Sequence, residues 1–498
     1  MKLGIDFGTS FSLPATVFMG QKMDLLPAGR YGIPSLFFYS REEGILIGDQ
    51  AEEAGQGRNA AFLRREIKMQ LNNNLPITLD GKRFTPEDMV GHMLRHIKDT
   101  AVYAAQTNLI DSRVEGAVVS VPAAFSNNEK ELIRRALERP VSEGGAGIPF
   151  LGFIKEPVAA AIAYFDTSLE DNTSVLVFDL GGGTCDVAIV TANSREREKY
   201  SVADSEMLRI GGKDWDEKLA NYIIYELEHR TGVPLANNPM YLERVKRAAI
   251  QAKHKFSEKG VQGYPNKVRV HVDVDGSAEA VVITKEMFDE TTMTLAHKVT
   301  QLAKQLYEKH PELRISKLVC VGGGSNMPQV IDRLKAALPR LTCQVYQPSK
   351  AIAYGAAVYA QTLQRAQPLL RDIAAFSYGI RVYRDYAKYH GTRRMVMNFV
   401  KKGDTLPASG VDYIVTPRPN MSMLEMRVFE SEECVDSYDY HSSNEDAILL
   451  VEFPLPPNTP VNYRLEVTLT LTKDGLLEVV AKDAAGRVRR GSKKLQFH

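Results

Sequence analysis

The sequence predicts a mixed α/β region over residues 1–367 followed by an all-β region over residues 373–498. Three observations carry this. Up to Gln367, short apolar runs alternate with helix-like stretches, the texture of sheets covered by helices. Beyond Gln367, apolar residues recur at every second position. Within the first region, a strand that runs into an Asp-x-Gly loop occurs twice.

The strand-like runs come in the order Leu3–Ile5, Gly116–Val121, Val175–Phe178, Cys185–Val190 and Lys317–Val321. Helical spacing is found over Asn128–Leu137, Pro157–Phe165, Trp215–His229, Tyr241–Phe256, Thr284–Glu308 and Ala351–Arg365. In the second region Leu465, Val467, Leu469 and Leu471 alternate, Asp474-Gly475 makes a turn, and Leu477, Val479 and Ala481 continue. That is a hairpin, since Asp-Gly favours the positive φ of a primed turn. Pro368-Leu369-Leu370-Arg371-Asp372 marks the change of texture. A solvated tether would be rich in Gly and Ser; this apolar one either docks or begins a strand.

Composition narrows the function. A chain of 498 residues holds about three domains' worth of sequence. Hydrophobic residues at 44% and charged residues at 25% describe an ordinary globular protein. The formal net charge of +1 gives no electrostatic reason to expect nucleic acid or an anionic membrane as main partner. Apolar stretches such as Pro157–Phe165 fall far short of the ~20 residues of a membrane span. The start, MKLGIDFG, has no apolar signal region, so a cytoplasmic protein is expected. Cys185, Cys320, Cys343 and Cys434 lie far apart in sequence, which predicts reduced thiols and no zinc site.

Four glycine loops carry the chemistry. One strand runs into Asp6-Phe7-Gly8-Thr9-Ser10, the other into Asp179-Leu180-Gly181-Gly182-Gly183-Thr184. Two similar lobes facing each other across a cleft account for the repeat. Glycines after a strand let backbone N–H groups turn toward one point and approach a phosphate closely. Thr9, Ser10 and Thr184 add hydroxyl donors. Asp6 and Asp179 would repel a bare phosphate, but they suit a hard cation between protein and phosphate. Magnesium fits, because it keeps most of its waters and takes one or two carboxylates. Neither loop has the Walker or the dinucleotide-binding glycine spacing. Either alone reads as a tight turn; the repetition is what favours function. Gly322-Gly323-Gly324-Ser325 precedes a helix-like segment that could receive a nucleoside or phosphate, and Gly211-Gly212-Lys213-Asp214 precedes another. Glu156, before Pro157, either complements a helix dipole or positions a water or metal ligand. Lys68 is either a surface lysine or a phosphate-neutralising base.

Taken in order, these segments resemble the heat-shock 70 kDa (DnaK-type) chaperone family over almost the whole chain. Gly4–Ser10 resembles the family's first phosphate loop. Val177–Val187 is nearly letter-for-letter its second. Val121-Pro122-Ala123-Ala124-Phe125, Glu156–Tyr164, Gly211–Asp216 and Ala353-Tyr354-Gly355-Ala356-Ala357 follow suit, and Pro368–Ile373 resembles the interdomain linker. The resemblance implies an α/β actin-like (ribonuclease H-like) two-lobed ATPase domain over 1–367, an apolar linker over 368–372 and a β-sandwich peptide-binding domain over 373–498. It implies ATP/ADP and Mg²⁺ as cofactors. Asp6 and Asp179 would hold Mg²⁺ through waters. Gly8, Thr9, Ser10, Gly181, Gly182 and Gly183 would cradle phosphates, with Thr184 at the γ-phosphate. Glu156 and Asp186 would place the metal shell and the water, and Lys68 or Arg65 would fill the phosphate-lysine position. Gly211, Gly212, Lys253, Ser257, Gly322, Gly323 and Gly324 match nucleotide-contacting positions. Pro122 and Lys130, with Leu369, Leu370 and Asp372, match an interdomain relay. Ile380, Tyr383, Ile414, Leu424 and Met426 fall where the family lines its peptide groove, or are ordinary sandwich core. Implied partners are unfolded or extended polypeptide, a J-domain co-chaperone and a nucleotide exchange factor, with no nucleic acid and no membrane.

Several positions depart from that pattern. His254 and Asn326 stand where the family has adenine-stacking arginines, and Ser349 replaces an acidic residue. Weaker nucleotide binding is the expectation, since guanidinium stacks broadly on a base. Lys130 replaces the usual arginine, Tyr383 a common methionine, and Tyr386 to Thr392 differs from the family's arch over the groove. The sequence reaches His498 soon after the last strand, so a helical lid is not expected. Three readings follow: an ATP-dependent chaperone, a nucleotide-gated scaffold with one dedicated partner, and a kinase for a small sugar or acyl substrate. No sequence feature marks an acceptor site for the third.

Overall fold

The computed structural model describes residues 1–168, 173–193, 198–259, 263–363, 370–386, 391–432, 437–438, 447–473 and 475–495. Gln367, Pro368, Leu369, Cys434, Asp474, the stretch 387–390 and the side chain of Tyr383 lie outside the described residues. The chain divides into two compact units: Met1–Tyr200 with Ser205–Leu369, and Leu370–His498 with Ser201–Asp204.

The first unit is built on two sheets of one plan. In the first, Lys2–Asp6 runs antiparallel to Phe11–Phe18 and parallel to Gly116–Val121, which is parallel in turn to Phe150–Lys155. In the second, Thr173–Leu180 runs antiparallel to Cys185–Ala192 and parallel to Ile315–Val321, which is parallel to Thr342–Val345. The repeated Asp-x-Gly motif is the turn between the first antiparallel pair of each sheet. The two copies differ at the facing residue: Asp6 stands opposite Leu13, whereas Asp179 stands opposite Asp186. Gly116–Val121 is buried throughout and Thr173–Leu180 almost so, because parallel neighbours and covering helices leave no wet face.

Two Ala-rich helices, Glu156–Ser168 and Ala351–Thr362, meet backbone to backbone. A Cβ on Gly355 would lie 1.7 Å from the carbonyl oxygen of Ala159, and one on Gly4 would lie 2.1 Å from the amide nitrogen of Ala357. This crowding is why Ala353, Ala356, Ala357 and Ala360 fill the buried positions. The helices read from sequence run Asn127–Glu138, Glu156–Ser168, Gly212–Thr231, Pro239–Ser257, Lys285–Lys309 and Ala351–Thr362. A further one, Pro86–Thr107, was not among the sequence expectations, although Thr85 and Asp88 close a capping box at its start.

The second unit holds two antiparallel sheets. One is ordered Ser437–Tyr438, Gly391–Val400, Ser377–Tyr386, Met423–Ser431, Leu449–Pro454; the other Ala408–Val415, Arg464–Leu471, Leu476–Asp483, Val488–Lys494. Leu465, Val467, Leu469 and Leu471 stand opposite Asp483, Ala481, Val479 and Leu477, and this alternating face is buried. Gly475 takes φ 82° in the turn between them. Among the described residues no helix is long and apolar enough to cross a membrane.

Candidate functional site

The four glycine loops converge. A Cβ on Gly182 would lie 2.3 Å from Ser10 Oγ, and one on Gly183 would lie 2.6 Å from Thr9 Oγ1. The hydroxyls of the first loop therefore press on bare backbone of the second. The N–H of Gly212 donates to the carbonyl of Gly181 at 2.9 Å, and that of Lys213 to the carbonyl of Gly182 at 2.8 Å. From the other side, Gly322 takes φ 78°, and a Cβ there would lie 2.3 Å from Asp179 Oδ1. Gly8 is packed against the Phe11 carbonyl and Gly324 against Leu180, while Gly323 stands in open space.

Where the loops meet, carboxylates outnumber cations. Asp179, Asp186, Glu156 and Lys68 are buried, and Asp6 is partly so. The Lys68 ammonium donates to Glu156 Oε1 at 2.7 Å and to the Phe7 carbonyl at 2.5 Å. Ser120 Oγ donates to Asp6 Oδ1 at 3.2 Å, and the Ala123 N–H donates to Asp186 Oδ1 at 2.6 Å. Burial, and after it the charge of Glu156, pushes Asp6 and Asp186 up to about 7 and raises Asp179 as well. The Ala123 N–H, the Thr184 hydroxyl and Lys68 pull Asp186 the other way. Asp179 Oδ1 and Asp186 Oδ2 are buried without a hydrogen-bond partner.

That donor set fits a hydrated divalent cation. Two unpartnered carboxylate oxygens and a surplus of negative charge over one ammonium are costly without one. Among the described residues no three acidic, His or Cys side chains group closely enough to hold a metal directly. Magnesium, which keeps its waters, suits such a set better than an ion demanding a protein cage.

The remaining expected residues are placed as follows. Lys253 donates to the Gly212 carbonyl at 2.9 Å and to Asp216 Oδ2 at 2.6 Å, which fixes it against the fourth glycine loop. Ser257 Oγ donates back to the Lys253 carbonyl. Burial, then the Lys253 charge, holds His254 below its ordinary range, so its imidazole is neutral near pH 7. Lys68 meets the carboxylates; Arg65 instead pairs with Glu243 at 2.5 Å and Glu52 at 3.5 Å. Pro122 is buried next to Ala123, the residue that binds Asp186, and Lys130 is buried in the following helix. Asn326 and Ser349 are exposed. In the second unit Asp372 is buried, with Oδ1 accepting the Ile373 N–H, and Leu370 is buried. Ile380 and Met426 are fully buried, Leu424 nearly so, and Ile414 only partly. Leu424, Met426 and Val428 alternate inward on one strand, and Ile380 stands opposite Val428, so all four share the core face.

Sequence reasoning missed the surroundings of Lys68. The rings of Phe7 and Phe125 lie 5.8 and 5.4 Å from its ammonium. Arg209 shares the second of these rings, 5.6 Å from the Phe125 centroid, and pairs with the buried Glu129 at 3.0 Å. Ser120 carried a readable signal, as the one hydroxyl in an otherwise apolar buried strand.

A protein-family model described as Hsp70 protein matches residues 45–494. The match includes the second Asp-x-Gly loop, Lys68, Glu156 and both sheets of the second unit; the first Asp-x-Gly loop precedes it. With nearly the whole length covered, the chain belongs to the Hsp70 family.

Proposed function

We propose that this protein is an ATP-dependent chaperone of the DnaK type, hydrolysing MgATP to control its hold on extended apolar polypeptide segments. Members of the family are ATPases, and the surplus of buried carboxylate over ammonium at the meeting point of four glycine loops is the observation that carries the reading to these residues.

Asp6 and Asp179 would hold magnesium through its waters, and the ion when bound supplies charge neutralisation to the phosphates. The backbone N–H groups of Gly8, Thr9, Ser10 and Gly181–Gly183 would receive phosphate oxygens. Lys68 is fixed by Glu156 and the Phe7 carbonyl at the edge of the same space, an ammonium already desolvated and aimed. Thr184 offers a hydroxyl, and Glu156 and Asp186 offer acceptors that orient an attacking water. Phosphoryl transfer to water asks mainly for such positioning and charge stabilisation. His254 and Asn326 would replace guanidinium stacking on adenine with weaker contacts. A J-domain co-chaperone and a nucleotide exchange factor are the partners such a cycle would use.

The test is linkage. If ATP weakens peptide binding by some factor, peptide must weaken ATP binding by the same factor. Paired titrations in which both ligands bind without mutual effect would sink the reading.

Burial of Ile380 and Met426 favours a second reading, a nucleotide-gated scaffold with one dedicated partner. Side chains wholly in the sandwich core offer no surface to a peptide. A peptide array separates the two: broad capture of apolar extended segments supports the chaperone, and a single tight sequence supports the scaffold.

A further inference from the structure

Cys320 and Cys343 lie Sγ to Sγ at 3.7 Å on the neighbouring parallel strands Ile315–Val321 and Thr342–Val345. Neither thiol serves the site described above. We infer that they form a redox modification site: a peroxide oxidises Cys343, and Cys320 then closes the pair into an intramolecular disulfide.

The two thiols are differentiated as that sequence needs. Cys343 is partly exposed and Cys320 is fully buried. The hydrogen bond from Cys320 brings the Cys343 thiol down to about 7, with help from the Lys335 ammonium against the effect of burial. A thiolate is then present at neutral pH on the partly exposed residue of the pair, and thiolate is the reactive form. In the first step the Cys343 sulfur attacks a peroxide oxygen. An S–O bond forms, the O–O bond breaks, and the departing hydroxide takes a proton as water. In the second step the Cys320 sulfur attacks the Cys343 sulfur. An S–S bond forms, the S–O bond breaks, and hydroxide leaves as water with the Cys320 proton. Two thiols are oxidised, one peroxide is reduced, and two waters result.

The register says what this does to the fold. Cys343 stands opposite Leu318, so the two cysteines are diagonal neighbours. Sulfurs 3.7 Å apart must close to about 2.05 Å, which pulls the strands together. Thr342–Val345 is the edge of its sheet and can yield. The Cys320 carbonyl accepts the Tyr346 N–H at 2.9 Å, and the next carbonyl, Val321, accepts the Ser325 hydroxyl at 2.5 Å. The pull is therefore delivered to Gly322–Ser325, the loop seated on Asp179, and nucleotide release changes. This second consequence rests on the proposed nucleotide site; the disulfide does not.

The full-length chain, reduced and then exposed to hydrogen peroxide, is digested without reductant and mapped. A peptide linking Cys320 to Cys343, removed by dithiothreitol, is expected. Cys320→Ser should leave Cys343 as a sulfenic acid trapped by dimedone. Over-oxidised Cys343 beside a free Cys320 thiol, or a link through Cys185, would overturn the assignment. Release of a fluorescent ATP analogue should differ several-fold between linked and reduced chains, and not at all in peroxide-treated Cys343→Ser. Unchanged release from a linked chain would overturn the coupling. An analogue that never binds the reduced chain would count against the nucleotide site, and the mapped disulfide would still decide the thiol chemistry.

Discussion

The Lys68 ammonium lies 2.7 Å from Glu156 Oε1, with both side chains buried. Breaking a buried pair by removing one partner leaves an uncompensated charge and costs about 3–5 kcal/mol. Lys68→Met should therefore lower the unfolding midpoint in denaturant sharply. Combining it with Glu156→Leu should recover much of the loss, because the stranded carboxylate goes too. If the double variant is no more stable than the single, Glu156 is not the partner that matters.

Asp6 and Asp186 are pushed up to about 7, and Asp179 is raised too, from an ordinary 3.8. Between about pH 4 and about pH 7 the folded chain then holds protons that the unfolded chain has released. The contribution of these three carboxyls to the stability of the metal-free protein therefore falls as pH rises through that window, because the folded state binds the extra protons. Asp179→Asn should flatten this part of the curve. Thermal unfolding across the window, without magnesium or nucleotide, reads it. A contribution of opposite slope from Asp179 would show that the carboxylates are not crowded as described.

If Asp179 carries the magnesium shell and Thr184 the γ-phosphate, Asp179→Asn and Thr184→Ala should each slow single-turnover ATP hydrolysis by about 100-fold or more. Circular dichroism of each variant should match the parent. An unchanged rate in either would mean the roles are misassigned.

Arg65 and Glu243 tie the segment after Leu63–Arg64 to the helix Pro239–Ser257 by a half-buried pair at 2.5 Å. Arg65 desolvates in a site that also contains Glu52. A contact worth about 1.4 kcal/mol that must be lost as nucleotide leaves changes a dissociation rate tenfold. Arg65→Ala and Glu243→Ala should each speed nucleotide release several-fold, and the double variant should be no faster than either. Additive effects in that cycle would mean the residues act separately.

Much of this architecture was legible because it is written in local pattern. The Asp-Gly loops announce themselves by repetition, and the period-two run Leu465–Leu471 became a buried strand face. The helix Pro86–Thr107 is the opposite case: Thr85, Pro86 and Asp88 spell its start, but it adjoins no glycine loop or repeated motif. Contacts across long separations were not legible at all. Nothing in Arg65-Glu66-Ile67-Lys68 says that Lys68 turns toward Glu156 while Arg65 turns toward Glu243. The two basic residues are alike in sequence and are told apart only by which carboxylate the fold delivers. Cys320 and Cys343 read as distant thiols for the same reason, because only strand pairing brings them together.

Gly355 offers a test of the packing that holds the two Ala-rich helices together. A Cβ there would lie 1.7 Å from the Ala159 carbonyl oxygen and 2.4 Å from its carbon. Those are backbone atoms, which cannot rotate aside as the end of a side chain would. Gly355→Ala must therefore push the helices apart, and overpacking of this kind costs about 1–3 kcal/mol or more. The general effect of replacing glycine by alanine has the other sign, since the unfolded chain loses freedom. Gly152 separates the two effects: a Cβ there meets only Leu363 Cδ1, at an ordinary 3.7 Å. Gly152→Ala should stay within about 1 kcal/mol of the parent, while Gly355→Ala should fall well below it in urea unfolding. Equal stability of the two variants would mean that the helices do not approach backbone to backbone at Gly355.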